Sequence, residues 1–499
     1  MQRVLPPTRS LPLLGIERTR QIEAQAAASL PPHALMQRAG RAVARLGLAI
    51  APHASTVWIA AGPGNNGGDG LDAAIHLRAA GKDAQVTLLG DAARLPADAA
   101  DALQRAHAAG VPIVAGVPRL SPRDLAIDAL LGIGAARPPD STLAGCITTL
   151  NGLPCPVLAV DVPSGLDAAR GRALGAQCVV AQHTLSLLSV KPGLFTGSGR
   201  DHAGTIWFDD LAVESPSDAP DAWLGGIELG QLPARAHAQH KGSFGDVAVV
   251  GGAPGMGGAA LLAARAAHAA GAGRVYVDML DEHAPLVLDS VRPELMFRTG
   301  WHRSDEATLA HSTVVCGCGG GDAVRTPLPR LLSAAARLVL DADALNAIAA
   351  DSALQKLLRA RASRRRLTML TPHPLEAARL LSSDTAGVQG DRLAAAQALA
   401  ERFSCVVLLK GSGSVIAAPQ RAPWINSSGS AALASAGTGD VLAGWLGGLW
   451  AQQPAAASSV DGAQRVACSA AFQHGLAADT GGTPVTRAGD LIDRLHAAR

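Results

Sequence analysis

The feature that most constrains the fold of this chain is a glycine-rich run between an apolar segment and a helical pattern. Five glycines fall within residues 62–70, after the apolar run at 56–61 and before apolar residues at helical spacing from Leu71 onward. Glycine allows close backbone approach, and the free N–H groups at a helix start favour negative charge. The pattern therefore predicts an anion-binding turn, with a purely structural tight turn as the alternative. Asn65, Asn66 and Asp69 favour a ligand loop, because their side chains can ligate a hard cation or orient a sugar hydroxyl.

Length and composition indicate a globular protein of more than one domain. At 499 residues the chain exceeds one ordinary core, so two or three domains are expected. A hydrophobic fraction of 48% and a charged fraction of 17% argue against a disordered or fibrous class. One tyrosine, six phenylalanines and a formal net charge of +2 provide neither stacking surfaces nor a general field for nucleic acid. We therefore expect no nucleic-acid partner.

The seven cysteines and the apolar runs indicate the compartment. The cysteines are scattered without paired zinc spacing and have apolar neighbours, which predicts buried thiols in a reducing compartment. We expect Cys316 and Cys318 to be structural, because they are too close for ordinary ligand pairing. Prolines at 6, 7 and 12 interrupt any signal-peptide core, and no uncharged apolar run is long enough to span a membrane. We expect a cytoplasmic protein without a membrane partner.

Two stretches of alternating strand and helix patterns predict two α/β domains, each with a parallel sheet and helices on both faces. Apolar runs recur in the first half at 85–89, 125–130, 157–161 and 184–187, and in the second at 246–252, 274–277, 312–315 and 337–341. Turn-forming residues from Glu214 onward separate the halves, so we predict domains at 1–215 and 236–499 with a linker at 216–235. Two strands of the first half end in Asp128 and Asp161, at the sheet edge where α/β proteins bind ligands.

Five motifs in the first half occur in an order that is typical of one family. They are LMQRAG at 35–40, the glycine run, DALLGIG at 128–134, VDVPSGLD at 160–167 and KPGL at 191–194. Together they resemble the NAD(P)HX epimerase family, which implies a Rossmann-like fold. Gln37 stands where that family usually has a glutamate.

The resemblance implies functional roles for residues of the first half. Asp161 would be catalytic and would contact the hydrated ring, whereas an aspartate capping the turn before Pro163 is the alternative. The implied potassium ligands are Asn66, Asp128 and Ser164, with a strand-end cap and a turn hydroxyl as alternatives for the last two. The implied substrate-binding residues are Asn65, Asn66, Gly67, Gly68, Asp69, Gly132, Ile133, Gly134, Ala135, Ala136, Arg137, Pro138 and Asp161. Arg137 would bind phosphate or point to solvent.

The second half contains a second ordered set of motifs. They are HKG at 240–242, GG at 251–252, GAG at 271–273, DADALN at 341–346, TPHPLE at 371–376, KGSGS at 410–414 and GTGD at 437–440. The set resembles the ADP-dependent NAD(P)HX dehydratases, which implies a ribokinase-like fold. Leu375 occupies a position that is usually glycine, and Cys318 stands in a GCGGG segment where the family usually has Gly-Pro-Gly-Leu-Gly.

The GTGD motif precedes apolar residues at helical spacing, so a glycine turn again leads into a helix. Backbone N–H groups at such a place stabilise a transferred phosphoryl group, and Asp440 is suited to accept a hydroxyl proton, with a helix N-cap as the alternative. The resemblance implies that Lys410, Gly411, Ser412, Gly413, Ser414 and Gly439 bind the nucleotide. The implied substrate contacts are Ala259, Gly319, His373 and the catalytic Asp440, with a solvent-facing loop histidine as the alternative for His373.

The two halves together imply the repair of hydrated NADH and NADPH. The first would interconvert the R and S forms of NADHX and NADPHX with K⁺. The second would dehydrate the S form at the expense of ADP, or of ATP, with Mg²⁺. We expect a homo-oligomer. The competing interpretation is a ribokinase-like small-molecule kinase joined to a non-catalytic nucleotide-binding or scaffold domain.

Overall fold

The computed structural model describes residues 1–214, 219–231, 235–281, 283, 286–454 and 459–498. The chain divides into two compact units, which we call unit 1 (Met1–Pro7 and Pro12–Ala222) and unit 2 (Thr8–Leu11 and Trp223–Arg499). Residues 215–218 and 232–234, which fall at the predicted domain boundary and in the predicted linker, lie outside the described residues. No helix in the described part of the chain is long and apolar enough to cross a membrane.

Unit 1 is built on a seven-stranded sheet. The strands lie in the order β1-β8-β7-β6-β5-β3-β4, and all neighbours are parallel except β1 and β8. Their bounds are β1 Gln2–Arg3, β3 Thr56–Ala61, β4 Asp83–Leu88, β5 Leu125–Ala129, β6 Val157–Val160, β7 His183–Leu187 and β8 Thr205–Asp209. A further short strand, β2, spans Leu11–Leu13.

Both faces of this sheet are covered. Along β3, Val57 and Ile59 pack into one hydrophobic core and Trp58 and Ala60 into another, because successive side chains point to opposite faces. The helices of unit 1 are α1 Ile16–Ser29, α2 Ala34–Ile50, α3 Asn65–Ala79, α4 Ala97–Ala108, α5 Ser141–Asn151 and α6 Gly199–His202. The α/β class predicted for the first half is confirmed.

The glycine turn before α3 is shorter than predicted. The helix begins at Asn65, so only Gly62 to Gly64 form the turn, and the later glycines already belong to the helix. A Cβ on Gly67 would lie 2.0 Å from the carbonyl oxygen of Gly62, and one on Gly68 would lie 2.5 Å from Cε of Met36 in α2. These glycines therefore allow the start of α3 to pack closely on its surroundings.

Unit 2 is built on an eleven-stranded sheet with the order β12-β11-β10-β13-β14-β15-β16-β17-β18-β9-β2. The strands from β12 to β16 in this order are parallel, and β17 is antiparallel to both of its neighbours. Their bounds are β9 Ala222–Leu224, β10 Asp246–Gly251, β11 Arg274–Met279, β12 Met296–Phe297, β13 Ser312–Cys316, β14 Arg337–Leu340, β15 Leu367–Leu370, β16 Val406–Leu409, β17 Val415–Ala417 and β18 Trp424–Ile425. Strand β9 lies within the range for which the sequence predicts a linker.

Helices also cover both faces of this sheet. Val247 and Val249 of β10 pack into one core, and Ala248 and Val250 pack into the other. The helices of unit 2 are α7 Gly257–Ala269, α8 Glu306–His311, α9 Leu328–Ala334, α10 Ala342–Ala350, α11 Ser352–Ser363, α12 Pro374–Leu381, α13 Thr385–Gly390, α14 Arg392–Phe403, α15 Thr438–Ala451, α16 Val460–Asp479 and α17 Ala488–Ala497. The α/β class predicted for the second half is confirmed as well.

Candidate functional site

In unit 1, the three predicted potassium ligands lie around one loop at the carboxyl ends of β3, β5 and β6. The Ser164 hydroxyl donates a hydrogen bond of 2.6 Å to Oδ1 of Asp128, and its backbone N–H donates one of 2.8 Å to Oδ2. The N–H of Leu131 donates to the same hydroxyl at 2.8 Å. Oδ1 of Asn66 lies 3.3 Å from the position that a Cβ would occupy on the nearby Gly132. The fold thus brings the three side chains to the same loop.

The oxygen atoms at this loop fit the ligand preference of a hard monovalent cation. Asp128 is fully buried, and its partners in the described part of the chain are hydrogen-bond donors of Ser164 and Leu130 rather than cations. Burial raises the pKa of Asp128 to about 6, because the charged form lacks solvent. Nδ2 of the buried Asn66 has no partner among the described residues, which is uncommon for a buried polar atom. Carboxylate, hydroxyl and amide oxygens are the ligand types that such ions prefer.

Asp161 follows β6 in a left-handed backbone conformation with φ 67°, which is uncommon for a residue other than glycine. Its Oδ1 accepts a hydrogen bond of 3.1 Å from the N–H of Leu187 and forms an ion pair with the buried ammonium of Lys191. Lys191 also donates a hydrogen bond of 2.7 Å to the carbonyl of Leu187. These contacts connect the carboxylate to the end of β7.

Two neighbours of Asp161 were not predicted from the sequence. One is Lys191, which lies 30 residues further along the chain, and the other is Glu23 on α1. Burial raises the pKa of Glu23, and the charge of Asp161 raises it further. Burial also raises the pKa of Asp69 well above its ordinary value, and the charges of Asp161 and Glu23 add to the effect. Carboxyl groups with raised pKa values beside a lysine-bound carboxylate are suited to general acid and base catalysis.

The loop at 132–138 lies next to both groups of unit 1. Gly132 lies against Asn66, and Nη2 of Arg20 in α1 lies 3.2 Å from the Cβ position of Gly134. Ala136, Arg137 and Pro138 are exposed at the outer end of the loop, as is Asn65 at the start of α3. Substrate contact by these residues stays a prediction.

In unit 2, Lys410, Gly439 and Asp440 converge at the start of α15. The helix begins at Thr438, so Asp440 lies in its first turn, and the N-cap alternative for this residue is wrong. Nζ of Lys410 donates a hydrogen bond of 2.6 Å to Asp341 and lies 3.5 Å from the Cβ position of Gly439. Burial raises the pKa of Asp440 to about 6, and the charge of Asp341 contributes to this rise.

The loop after β16 is fixed by an arginine that the sequence analysis did not single out. Arg392 on α14 is buried and donates hydrogen bonds to the carbonyls of Leu409 and Lys410 at 3.3 and 3.1 Å. Gly411 has φ 138°, and a Cβ there would lie 2.8 Å from the Arg392 guanidinium. Ser412 is exposed, whereas Gly413 is buried. The start of the loop is therefore held against α14.

The predicted substrate contacts Ala259 and Gly319 adjoin each other beside Asp440. A Cβ on Gly319 would lie 2.9 Å from that of Ala259. The preceding residue, Cys318, is fully buried, and its thiol and the carboxylates of Asp341 and Asp440 lie within 4.8 Å of one another. Burial raises the pKa of the thiol well above its ordinary value, so it keeps its proton.

His373 is the N-cap of α12. Its Nδ1 accepts a hydrogen bond of 3.1 Å from the N–H of Leu375, and its backbone N–H donates one of 2.8 Å to Glu376. Burial lowers the pKa of His373, and the charge of Lys410 lowers it further. Burial raises the pKa of Glu376 to about 7. A neutral His373 is therefore held in one orientation near Lys410.

Known families match both halves of the chain. A family model described as YjeF-related protein N-terminus matches residues 32–193, and one described as NAD(P)H-hydrate dehydratase matches residues 247–495. A solved structure of the ADP/ATP-dependent NAD(P)H-hydrate dehydratase from Bacillus subtilis, co-crystallised with ATP and Mg²⁺, is 28% identical and covers 54% of this chain and 94% of its own, with a TM-score of 0.45.

Two curated relatives match along nearly the whole chain. The bifunctional NAD(P)H-hydrate repair enzyme of Leishmania major is 37% identical over 95% of this chain and 91% of its own. The bifunctional NAD(P)H-hydrate repair enzyme Nnr of Escherichia coli (strain K12) is 35% identical over 92% of this chain and 87% of its own. The chain therefore belongs to the family of bifunctional NAD(P)H-hydrate repair enzymes.

Proposed function

We propose that the chain repairs NADHX and NADPHX, with an epimerase in unit 1 and a nucleotide-dependent dehydratase in unit 2. The main structural support is that each unit holds a carboxylate and a lysine together beyond the ends of parallel strands. In unit 1 these are Asp161 and Lys191, and in unit 2 they are Asp341 and Lys410, with the Asp440 carboxylate within 4.8 Å of that of Asp341. Substrate and nucleotide sites of open α/β sheets occur at this edge.

In unit 1, the reaction requires a proton acceptor and a proton donor beside the ring. Inversion at the carbon that bears the hydroxyl needs its C–O bond, or the adjacent C–N bond, to break and form again. Asp161, oriented by Lys191 and the N–H of Leu187, is placed to accept a proton. Glu23 and Asp69, whose pKa values are raised chiefly by burial, are placed to supply one.

We further propose that Asn66, Asp128 and Ser164 hold K⁺. The ion would neutralise the buried Asp128 carboxylate and fix the loop at 130–132, which leads into the predicted substrate loop. Its contribution would be electrostatic and structural.

In unit 2, we propose phosphorylation followed by elimination. Asp440 accepts the hydroxyl proton of the S hydrate as that oxygen attacks the terminal phosphorus of ADP, and AMP departs with the bridging oxygen. Phosphate then leaves the ring carbon with the electron pair of the C–O bond. Loss of a proton from the adjacent ring carbon restores NADH or NADPH. Phosphate is a far better leaving group than hydroxide, which explains the need for a nucleotide.

The nucleotide phosphates would bind at Lys410 to Ser414 and at Gly439. Burial alone would lower the pKa of Lys410, but the charges of Asp341 and Glu376 outweigh it, so the pKa is raised and the ammonium persists. Mg²⁺ prefers oxygen ligands and keeps several waters. Asp341 is already hydrogen-bonded to Lys410, so we propose that the ion enters with the nucleotide phosphates. ADP is the proposed donor, with ATP as the competing one.

We also propose a cytoplasmic, homo-oligomeric enzyme. Seven free cysteines, six of them buried, support a reducing compartment. The exposed apolar side chains of Val287, Leu288 and Val291 support self-association. Sedimentation analysis of the full chain tests the oligomeric state.

The deciding experiment follows the absorbance of NADH in a mixture of R and S NADHX with the full chain, ADP, Mg²⁺ and K⁺. We expect the wild type to recover all the NADH. Asp161→Asn should recover the S fraction alone, and Asp440→Asn should recover none.

Three results would contradict the proposal. Absence of NADH with either ADP or ATP would reject the dehydratase, and accumulation of a stable phosphorylated product would favour a small-molecule kinase. Full recovery by Asp161→Asn would reject the role of that residue.

A further inference from the structure

We propose that His474 is a positioning residue for the dehydratase, because its ring holds the Thr438 carbonyl and thereby directs the N–H of Gly439 toward the nucleotide phosphates. The inference rests on the proposed binding of those phosphates at Gly439. It adds a residue of α16 to the candidate site at the start of α15. His474 acts through the backbone of Thr438 and does not touch the nucleotide.

The hydrogen bond that carries the inference joins two helices of unit 2. Nε2 of His474 lies 2.9 Å from the carbonyl oxygen of Thr438, the first residue of α15. His474 is buried, and burial lowers its pKa to about 4, so the ring is neutral at neutral pH. A carbonyl oxygen can only accept, so the single ring proton is on Nε2. The contact therefore defines both the tautomer and the orientation of the ring.

This bond fixes the direction of the N–H that follows it. The carbonyl of Thr438 and the N–H of Gly439 belong to one planar trans peptide group, so the two bonds point in opposite directions. The Gly439 N–H is among the first of α15 and has no acceptor within that helix. Nζ of Lys410 lies 3.5 Å from the Cβ position of Gly439. A free N–H that points away from His474 and a nearby ammonium together suit a phosphate group.

The turn before α15 holds Thr438 in place. The Thr438 hydroxyl lies 2.8 and 2.9 Å from the carbonyl oxygens of Leu433 and Ser435. Gly437 has φ 88°, and a Cβ there would lie 2.6 Å from a leucine side chain of α7. The turn thus fixes the position of Thr438, and His474 fixes the orientation of the peptide group that follows.

The part of α16 that carries His474 is itself anchored. The Ser428 hydroxyl donates a hydrogen bond of 2.7 Å to the carbonyl of Phe472, and the N–H of Gly429 donates one of 2.7 Å to Asp479. These two contacts join α16 to the loop after β18 on either side of His474. A side chain on an anchored helix can hold a peptide group more precisely than one on a loop.

The first test compares the wild type, His474→Leu and His474→Gln in the dehydration of S-NADHX. In His474→Leu the peptide group loses its partner, so we expect kcat to fall by about tenfold to a hundredfold. We expect the Kd of ADP to change by less than about threefold, because an N–H directed at the transferred phosphoryl group acts mainly in the transition state. The glutamine amide can place a donor near the position of Nε2, so His474→Gln should restore most of kcat.

Gln473→Leu is the matched control. Gln473 is the neighbouring buried residue of α16, and its Oε1 accepts a hydrogen bond of 2.8 Å from Nε1 of Trp445, further along α15. This variant loses a bond between the same two helices without touching the Thr438 carbonyl, and its kcat should not change. An equal fall of kcat in Gln473→Leu and His474→Leu, or no recovery of kcat in His474→Gln, would overturn the proposal.

Nitrogen NMR of the full chain with isotopically labelled histidine separates this inference from the proposed reaction. The ring signals of His474, identified by their loss in His474→Gln, should show a proton on Nε2 and none on Nδ1 at neutral pH. This readout requires no turnover. A proton on Nδ1 alone would reject the hydrogen bond even in an active enzyme, whereas the expected tautomer in a chain that forms no NADH would reject only the assigned reaction.

Discussion

At the scale of single residues, the candidate site of unit 1 depends on a lysine that is almost completely buried. Lys191 is 1% exposed and pairs with Asp161, which is itself largely buried. Breaking a buried pair leaves an uncompensated charge, which typically costs about 3–5 kcal/mol. The same pair holds the proposed catalytic carboxylate, so stability and chemistry depend on the same contact.

We therefore expect Lys191→Met to abolish recovery of the R hydrate, by about a hundredfold or more, and to leave recovery of the S hydrate intact. The amounts of NADH recovered from the R and S hydrates in one mixture measure the epimerase and the dehydratase in the same reaction. Lys82→Met is the control, because Nζ of Lys82 binds the backbone carbonyls of Pro52 and Ala54 in the same unit. Loss of the S fraction in Lys191→Met would instead indicate general damage to the chain.

Asp128 gives a second prediction at this scale, which concerns pH and potassium. Its folded-state pKa of about 6 is above the unfolded value, so the native state binds the proton more tightly. The carboxyl group consequently makes folding less favourable as pH rises through this range, by up to about 3 kcal/mol when no cation is bound. A bound cation would remove that cost.

K⁺ should therefore raise the thermal midpoint of unit 1 more at pH 8 than at pH 5. Calorimetry in KCl against an equal concentration of choline chloride measures the difference. Asp128→Asn should abolish the K⁺ effect, because the amide carries no charge to neutralise. An equal K⁺ effect at both pH values would argue against binding at Asp128.

At the scale of elements, strands were more predictable than the contacts between them. The apolar runs at 125–130 and 157–161 predict β5 and β6 to within one residue, because a strand buried on both faces is a continuous apolar run. The pairing of Asp161 with Lys191, or of Asp341 with Lys410, depends on how distant loops meet at the sheet edge. Local patterns do not encode such meetings, so neither pairing was predicted from the sequence.

The start of α3 tests the role assigned to its glycines. Gly68→Ala would place a Cβ 2.5 Å from Cε of Met36 and 2.9 Å from Cα of Ala99, so we expect a loss of about 1–3 kcal/mol in the free energy of unfolding. Gly145→Ala in α5 meets nothing within 4 Å and should instead stabilise the unit by about 0.5–1 kcal/mol. Urea unfolding of the two variants measures both values. A neutral Gly68→Ala would show that the glycine is not required for packing.

At the scale of the whole molecule, each unit has its own sheet and its own candidate site. The proposed reactions are linked by chemistry, because the epimerase converts the R hydrate into the form that the dehydratase consumes. Joining them on one chain supplies the two activities in equal amounts. Free diffusion of the hydrate between sites is the simplest link that this arrangement requires.

Complementation between two chains that each retain one activity tests that link. Asp161→Asn retains only the dehydratase and Asp440→Asn retains only the epimerase, so a mixture of the two should recover all the NADH from R and S NADHX. With the Asp161→Asn chain in excess, recovery of NADH from the R hydrate is limited by the epimerase of the Asp440→Asn chain. The rate of this recovery should therefore rise in proportion to the amount of Asp440→Asn chain added. Recovery that stops at the S fraction would mean that the hydrate formed by one chain does not reach the dehydratase of another, and free diffusion would have to be abandoned.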